Sequence, residues 1–89
     1  MEKKKIALLG ATGSIGKSTI EVVKKHPDKF EIILATAKNN YESLLEYAAD
    51  LNIPYLAVIN KNLKSKINTD KKIYFGENEL LEILNRLDY

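Results

Sequence analysis

Ile6-Ala7-Leu8-Leu9-Gly10-Ala11-Thr12-Gly13-Ser14-Ile15-Gly16-Lys17-Ser18-Thr19 is the stretch whose reading decides the fold. Residues 6–9 are apolar without alternation, the pattern of a strand buried on both faces of a parallel sheet, and such a strand expects neighbours on both edges. The glycines end it. Beyond them Ile15, Thr19, Val22 and Val23 recur at helical spacing and predict an apolar stripe. Lys24, Lys25 and His26 fill the last turn before Pro27, where positive charge suits the helix dipole. Working outward, Phe30-Glu31-Ile32-Ile33-Leu34-Ala35 reads as a second buried strand. Tyr41, Leu44, Leu45 and Ala48 mark a second helix that stops near Asn52 and Pro54, and residues 55–59 form a third strand. Residues 60–72 are polar and lysine-rich, with at most one helical turn around Leu63. Ile73-Tyr74-Phe75 is a short fourth strand closed by Gly76, and a last helix over 77–87 is expected to bury Leu80, Leu81, Leu84 and Leu87. Strands alternating with helices mean a parallel, doubly wound α/β sheet, here a partial one of about four strands.

Composition sets the outer bounds. A chain of 89 residues is one domain at most, and more readily a piece of an enzyme than a whole one. Apolar residues at 45% and charged residues at 29% are ordinary for a soluble globular protein and argue against disorder and membrane spanning. The net charge of +2 and the scattered tyrosines give no footprint for nucleic acid. The absence of cysteine removes disulfides and thiolate chemistry. Lys3, Lys4 and Lys5 before the first apolar run resemble the start of a signal peptide, but that run is too short for one and ends in Gly10. The expected location is therefore cytoplasmic, with no membrane partner.

Gly10, Gly13 and Gly16 lie between a strand and a helix, the place where this type of fold binds dinucleotide phosphates. Gly10 can make the tight exit from the strand, Gly13 lets backbone N–H groups approach the pyrophosphate, and Gly16 permits close packing of helix on strand. The helix N-terminus adds unpaired donors and partial positive charge. A competing reading uses the same residues. Ala11-Thr12-Gly13-Ser14-Ile15-Gly16-Lys17-Ser18 matches the P-loop of mononucleotide hydrolases if alanine is allowed first. Lys17 would then reach the terminal phosphates and Ser18 would hold magnesium, but no strand ends in the aspartate such a site needs.

Cofactor choice in a dinucleotide fold is made at the end of the second strand, where a carboxylate would bind the ribose hydroxyls of NAD. This chain has Thr36-Ala37-Lys38-Asn39-Asn40. One lysine, amide donors and no carboxylate suit the 2′-phosphate of NADPH, a dianion that a carboxylate would repel. Asn39 or Asn40 can equally cap the second helix, with Glu42 completing a capping box from Asn39.

The quoted run through Thr19, followed by Val22-Val23, His26-Pro27, Phe30 and Ala37-Lys38-Asn39, resembles the amino-terminal segment of the 1-deoxy-D-xylulose 5-phosphate reductoisomerase family. The resemblance implies a Rossmann-like domain in an NADPH-dependent enzyme that rearranges and reduces a phosphosugar on a route to isoprenoids, with a divalent metal, magnesium or manganese. It places Thr12, Gly13, Ser14 and Ile15 at the pyrophosphate and nicotinamide side and Lys38 and Asn39 at the 2′-phosphate, with Gly10, Gly16 and Ala37 completing the expected cofactor-binding set. Ala37 stands where many members have glycine. The family's metal-binding carboxylates, catalytic lysine and histidines would lie beyond Tyr89, so residues 1–89 are expected to form a domain truncated at its carboxyl end, inactive alone. His26 reads as structural, Glu77, Glu79 and Glu82 as a solvated face, and the whole enzyme as a homodimer. The remaining alternative is an NADPH-binding module without chemistry of its own.

Overall fold

In the computed structural model, which describes residues 3–87, four strands alternate with helices: β1 (Lys4–Leu8), α1 (Ser14–Lys25), β2 (Phe30–Ala37), α2 (Tyr41–Leu51), β3 (Tyr55–Val58), a 3-10 helix (Lys61–Lys66), β4 (Ile73–Phe75) and α3 (Gly76–Arg86). Met1 and Glu2, the first residues of the charged lead-in, lie outside the described residues. All strand pairs are parallel and the order is β1-β2-β3-β4. Each new strand is added on the same side of the last, so right-handed crossovers place α1 and α2 on one face. That face buries Leu8, Ile20, Val23, Ile32, Leu44, Ala48, Leu56 and Val58 in one cluster. Leu34, Ala57 and Ile83 are buried outside that cluster, and α3 packs on β3 and β4. Helices therefore cover both faces, as a doubly wound sheet requires.

A bulge adjusts β2. Ile6 pairs with Ile32 and Ala7 with Leu34, so Ile33 is an extra residue. After it Ala35 and Ala37 join Ile32 in the main cluster. β1 ends at Leu8 opposite Ala35, and β2 runs on to Ala37 beside β3.

Three sequence expectations need correction. β1 was expected to be buried on both faces with two neighbours; among the described residues it pairs only with β2, Lys4 and Lys5 are exposed, and Ile6 and Ala7 are half-buried. An apolar run specifies what a strand could bury, whereas its cover depends on what else packs there. The stripe of α1 is also different. Gly16, Ile20 and Val23 are buried, Thr19 is half-buried, and Ile15 and Val22 are 84% and 49% exposed. The buried face begins at a glycine, which a search for apolar side chains passes over. In α3, Gly76 and Ile83 are buried, Leu80, Leu84 and Leu87 are half-buried, and Leu81 is 59% exposed. Again a glycine starts the true face.

The remaining boundaries follow local chemistry. The N–H of His26 donates to the carbonyls of Val22 and Val23, and its own carbonyl accepts from Lys29 and Phe30, so His26 closes α1 and turns the chain into β2. α2 ends at Asn52, held at φ 54° in the left-handed region that asparagine tolerates better than most residues.

Candidate functional site

The C-terminal edges of β1 and β2 carry the two loops that the sequence singles out. Gly10 leaves β1 at φ +79°, a conformation that a side chain would strain. Its N–H donates to Oγ1 of Thr36 at 2.9 Å, and the N–H of Ala11 donates to the Thr36 carbonyl at 2.7 Å. Thr36 is only 4% exposed. Two hydrogen bonds to one buried residue of β2 therefore fix the start of the glycine loop. Gly16 returns against it: a Cβ there would lie 2.3 Å from the Gly10 carbonyl oxygen and 2.6 Å from that of Ala11. Only glycine lets α1 approach so closely, as the packing role expected of Gly16 demands.

Gly13 plays a different part. It precedes α1 at φ −82° and ψ 177°, ordinary extended backbone, and a Cβ would meet nothing nearer than the Gly10 carbonyl oxygen at 3.7 Å. Space is open above it. No side chain caps α1 and its first turn carries no acidic residue. Among the described residues the N–H groups of Ser14, Ile15 and Gly16 have no acceptor. The other α-helices are compensated: Asn40 caps α2, whose first turn holds Glu42, and the Glu79 carboxylate accepts from the Phe75 N–H at the start of α3. Unpaired donors and an uncompensated dipole at α1 make a receptor for an anion. Thr12 is half-buried, while Ser14 and Ile15 are exposed beside these donors.

The same geometry argues against the P-loop. In that motif the loop wraps the phosphates up to the lysine, whereas here α1 already starts at Ser14 and Gly16, Lys17 and Ser18 are helical. The Lys17 N–H is used by the Gly13 carbonyl, and the Ser18 hydroxyl donates back to the Ser14 carbonyl at 3.2 Å. Lys17 is an exposed first-turn residue.

At the end of β2, Ala37 is buried while Lys38, Asn39 and Asn40 are exposed. Oδ1 of Asn40 accepts from the Ser43 N–H, which makes Asn40 the cap of α2. Asn39 is then one residue too early to cap, and no capping box with Glu42 forms. Asn39 and Lys38 are left for other work, and Lys38 has no ion-pair partner among the described residues. The end of β3 braces this segment. The N–H groups of Ile59 and Asn60 donate to the carbonyls of Ala37 and Lys38, each at 3.0 Å, and Nδ2 of Asn60 donates to Oδ1 of Asn39 at 2.8 Å.

A family model described as 1-deoxy-D-xylulose 5-phosphate reductoisomerase matches residues 6–89. The chain belongs to this reductoisomerase family. The 1-deoxy-D-xylulose 5-phosphate reductoisomerase of Ruthia magnifica subsp. Calyptogena magnifica is 38% identical over 89 residues, covering 96% of this chain and 23% of that protein. That of Geotalea uraniireducens (strain Rf4) is 42% identical over 64 residues, 72% of this chain and 17% of the relative. Among solved structures, the reductoisomerase from Zymomonas mobilis in complex with NADPH superimposes with a TM-score of 0.81 at 26% identity, covering 91% of this chain and 23% of that one. A DOX-P reductoisomerase in complex with magnesium gives a TM-score of 0.78 at 31% identity, covering 92% of this chain and 22% of that one. The chain thus spans less than a quarter of the length of these relatives.

Two residues of this reductoisomerase segment escaped the sequence reading. Thr36 reads only as the first residue of the segment after the second strand, yet it anchors the glycine loop through its hydroxyl and carbonyl. Asn60 opens a lysine-rich loop and lies 21 positions from the asparagine it contacts. A polar residue directly after the buried run was a usable signal for Thr36. Nothing local pointed to Asn60.

Proposed function

We propose that this chain is the NADPH-binding part of a 1-deoxy-D-xylulose 5-phosphate reductoisomerase, the enzyme that rearranges and reduces 1-deoxy-D-xylulose 5-phosphate to 2-C-methyl-D-erythritol 4-phosphate. The observation that carries the reading is the N-terminus of α1, which has free N–H donors, no cap and no carboxylate behind an open glycine turn. Gly10 and Gly16 shape that turn, and Thr12, Gly13, Ser14 and Ile15 border the pyrophosphate and the nicotinamide side. Ala37 ends the strand, and Lys38 and Asn39 meet the 2′-phosphate with a cation and an amide, where a carboxylate would favour NADH. The bound dinucleotide supplies the hydride; these residues hold and orient it. Family membership supports the phosphosugar substrate and a divalent metal, magnesium or manganese. We assign the metal ligands and catalytic groups to parts of the enzyme outside residues 1–89. The same reading makes the enzyme a cytoplasmic homodimer, with neither nucleic acid nor membrane as a partner.

Titrating NADPH and NADH into the full-length protein, followed by calorimetry, tests this reading. NADPH is expected to bind at least about tenfold more tightly, as one charge-assisted contact to the 2′-phosphate would give. Equal or tighter binding of NADH would overturn the cofactor assignment. Gly13→Val should abolish NADPH binding at an unchanged melting temperature, because the backbone there suits any residue while the added side chain fills the open space. Retained affinity in the folded variant would place the phosphates elsewhere.

A further inference from the structure

The two amides at the ends of β2 and β3 form an ordered chain of donors and acceptors. The N–H of Asn62 donates to Oδ1 of Asn60 at 3.0 Å, and Nδ2 of Asn60 donates to Oδ1 of Asn39 at 2.8 Å. A backbone N–H can only donate, so Asn62 fixes which side of the Asn60 amide is its oxygen. That leaves the Asn60 NH2 facing Asn39, and it forces the Asn39 oxygen toward Asn60. The orientation of Asn39 is thus set from 21 residues away. Its own NH2 is left without an acceptor among the described residues, next in sequence to Lys38.

We infer that Asn60 is a positioning residue for cofactor choice: it locks the Asn39 amide so that only donors face the dinucleotide. The inference rests on the proposed NADPH reading, and it adds the reason an otherwise reversible amide can discriminate. A freely turning Asn39 could present its oxygen to the ribose hydroxyls of NADH or its nitrogen to the 2′-phosphate of NADPH. A locked one offers only the second. The backbone bond from the Asn60 N–H to the Lys38 carbonyl holds the adjoining residue as well, so one residue of β3's exit fixes two consecutive positions of the loop after β2.

Asn60→Asp in the full-length protein separates this role from a structural one. Aspartate keeps the acceptor for the Asn62 N–H and the backbone bond to Lys38 but cannot donate to Asn39. The expected result is an unchanged melting temperature, NADPH binding weaker by about tenfold or more, and NADH binding unchanged or improved. Placed in an Asn39→Ala background, Asn60→Asp should cost less than about twofold, since the residue it acts through is gone. An equal loss for both cofactors, a lowered melting temperature, or a full loss of NADPH affinity in the Asn39→Ala background would each overturn the inference. The last would show direct repulsion by the new charge. Asn60→Ser provides a neutral check, because a serine hydroxyl can accept from residue 62 but is too short to orient Asn39; it should shift the NADPH to NADH ratio in the same direction. The wild-type titration distinguishes the two levels. An unmodified protein without NADPH preference removes the underlying reading, whereas a preference that survives Asn60→Asp removes only the role of Asn60.

Discussion

The loop after β1 and the loop after β2 sit at the same end of the sheet, joined through Thr36, yet they are built in opposite ways. The first is a backbone device. Its essential residues are glycines, and what it offers is N–H groups at the start of α1. The second is, on the proposed reading, a side-chain device: Lys38 and Asn39 are exposed there, and Asn60 at the exit of β3 braces them. A pyrophosphate is common to all dinucleotides and can be met by a generic helix terminus, whereas the 2′-phosphate is the distinguishing group and calls for charge and oriented amides.

The contrast is sharpest within the glycine loop itself. Gly16→Ala is expected to destabilise the protein by about 3 kcal/mol or more, because its Cβ would collide with two backbone carbonyls that have no flexible end to move. Gly13→Ala, only three residues earlier, should stay within about 1 kcal/mol of wild type, as the poorer cap is offset by a stiffer unfolded chain. Chemical denaturation of both variants checks this; similar losses at the two positions would break the division between packing and approach glycines.

Thr36→Val tests the joint between the loops. Removing the hydroxyl leaves the Gly10 N–H without its acceptor, and a cost of about 1 to 3 kcal/mol in stability is expected. NADPH and NADH should weaken together, since the bond shapes the loop common to both. Lys38→Ala should instead leave stability within about 0.5 kcal/mol and weaken NADPH by about 1 to 3 kcal/mol with NADH untouched, measured by the same pair of titrations. If Thr36→Val were selective between cofactors and Lys38→Ala were not, the two loops would have exchanged roles. The smallest effect is expected away from both. Lys24 and Asp50 form an exposed ion pair at 3.6 Å between α1 and α2, and Lys24→Ala should change stability by less than about 1 kcal/mol without altering either affinity.

Much of the fold was legible because local patterns and the sheet agree. The strands at 30–35, 55–59 and 73–75 are short apolar runs, and a parallel sheet covered by helices on both faces has room for such runs. Helix faces were read less well. In α1 and α3 the buried stripe runs through Gly16 and Gly76, and a residue without a side chain adds nothing to apolar periodicity even where the packing is tightest. Leu81 and Ile15 fit an inward stripe by being apolar, yet both are exposed, and a single exposed apolar residue is common on a protein surface.

At the candidate site the sequence by itself determined the glycine turn, the absence of a carboxylate after the second strand, and the presence of one lysine there. These are properties of residue type and spacing, and they act within a few residues of one another. Only the tertiary structure decided that Asn40 and not Asn39 caps α2, that α1 begins too early for a P-loop, and that Thr36 and Asn60 hold the two loops. The roles of Thr36 and Asn60 depend on hydrogen bonds between residues 21 to 26 positions apart, at the ends of neighbouring strands. Which donor meets which acceptor across such a distance is fixed by the register of β1, β2 and β3, and no local pattern carries that register.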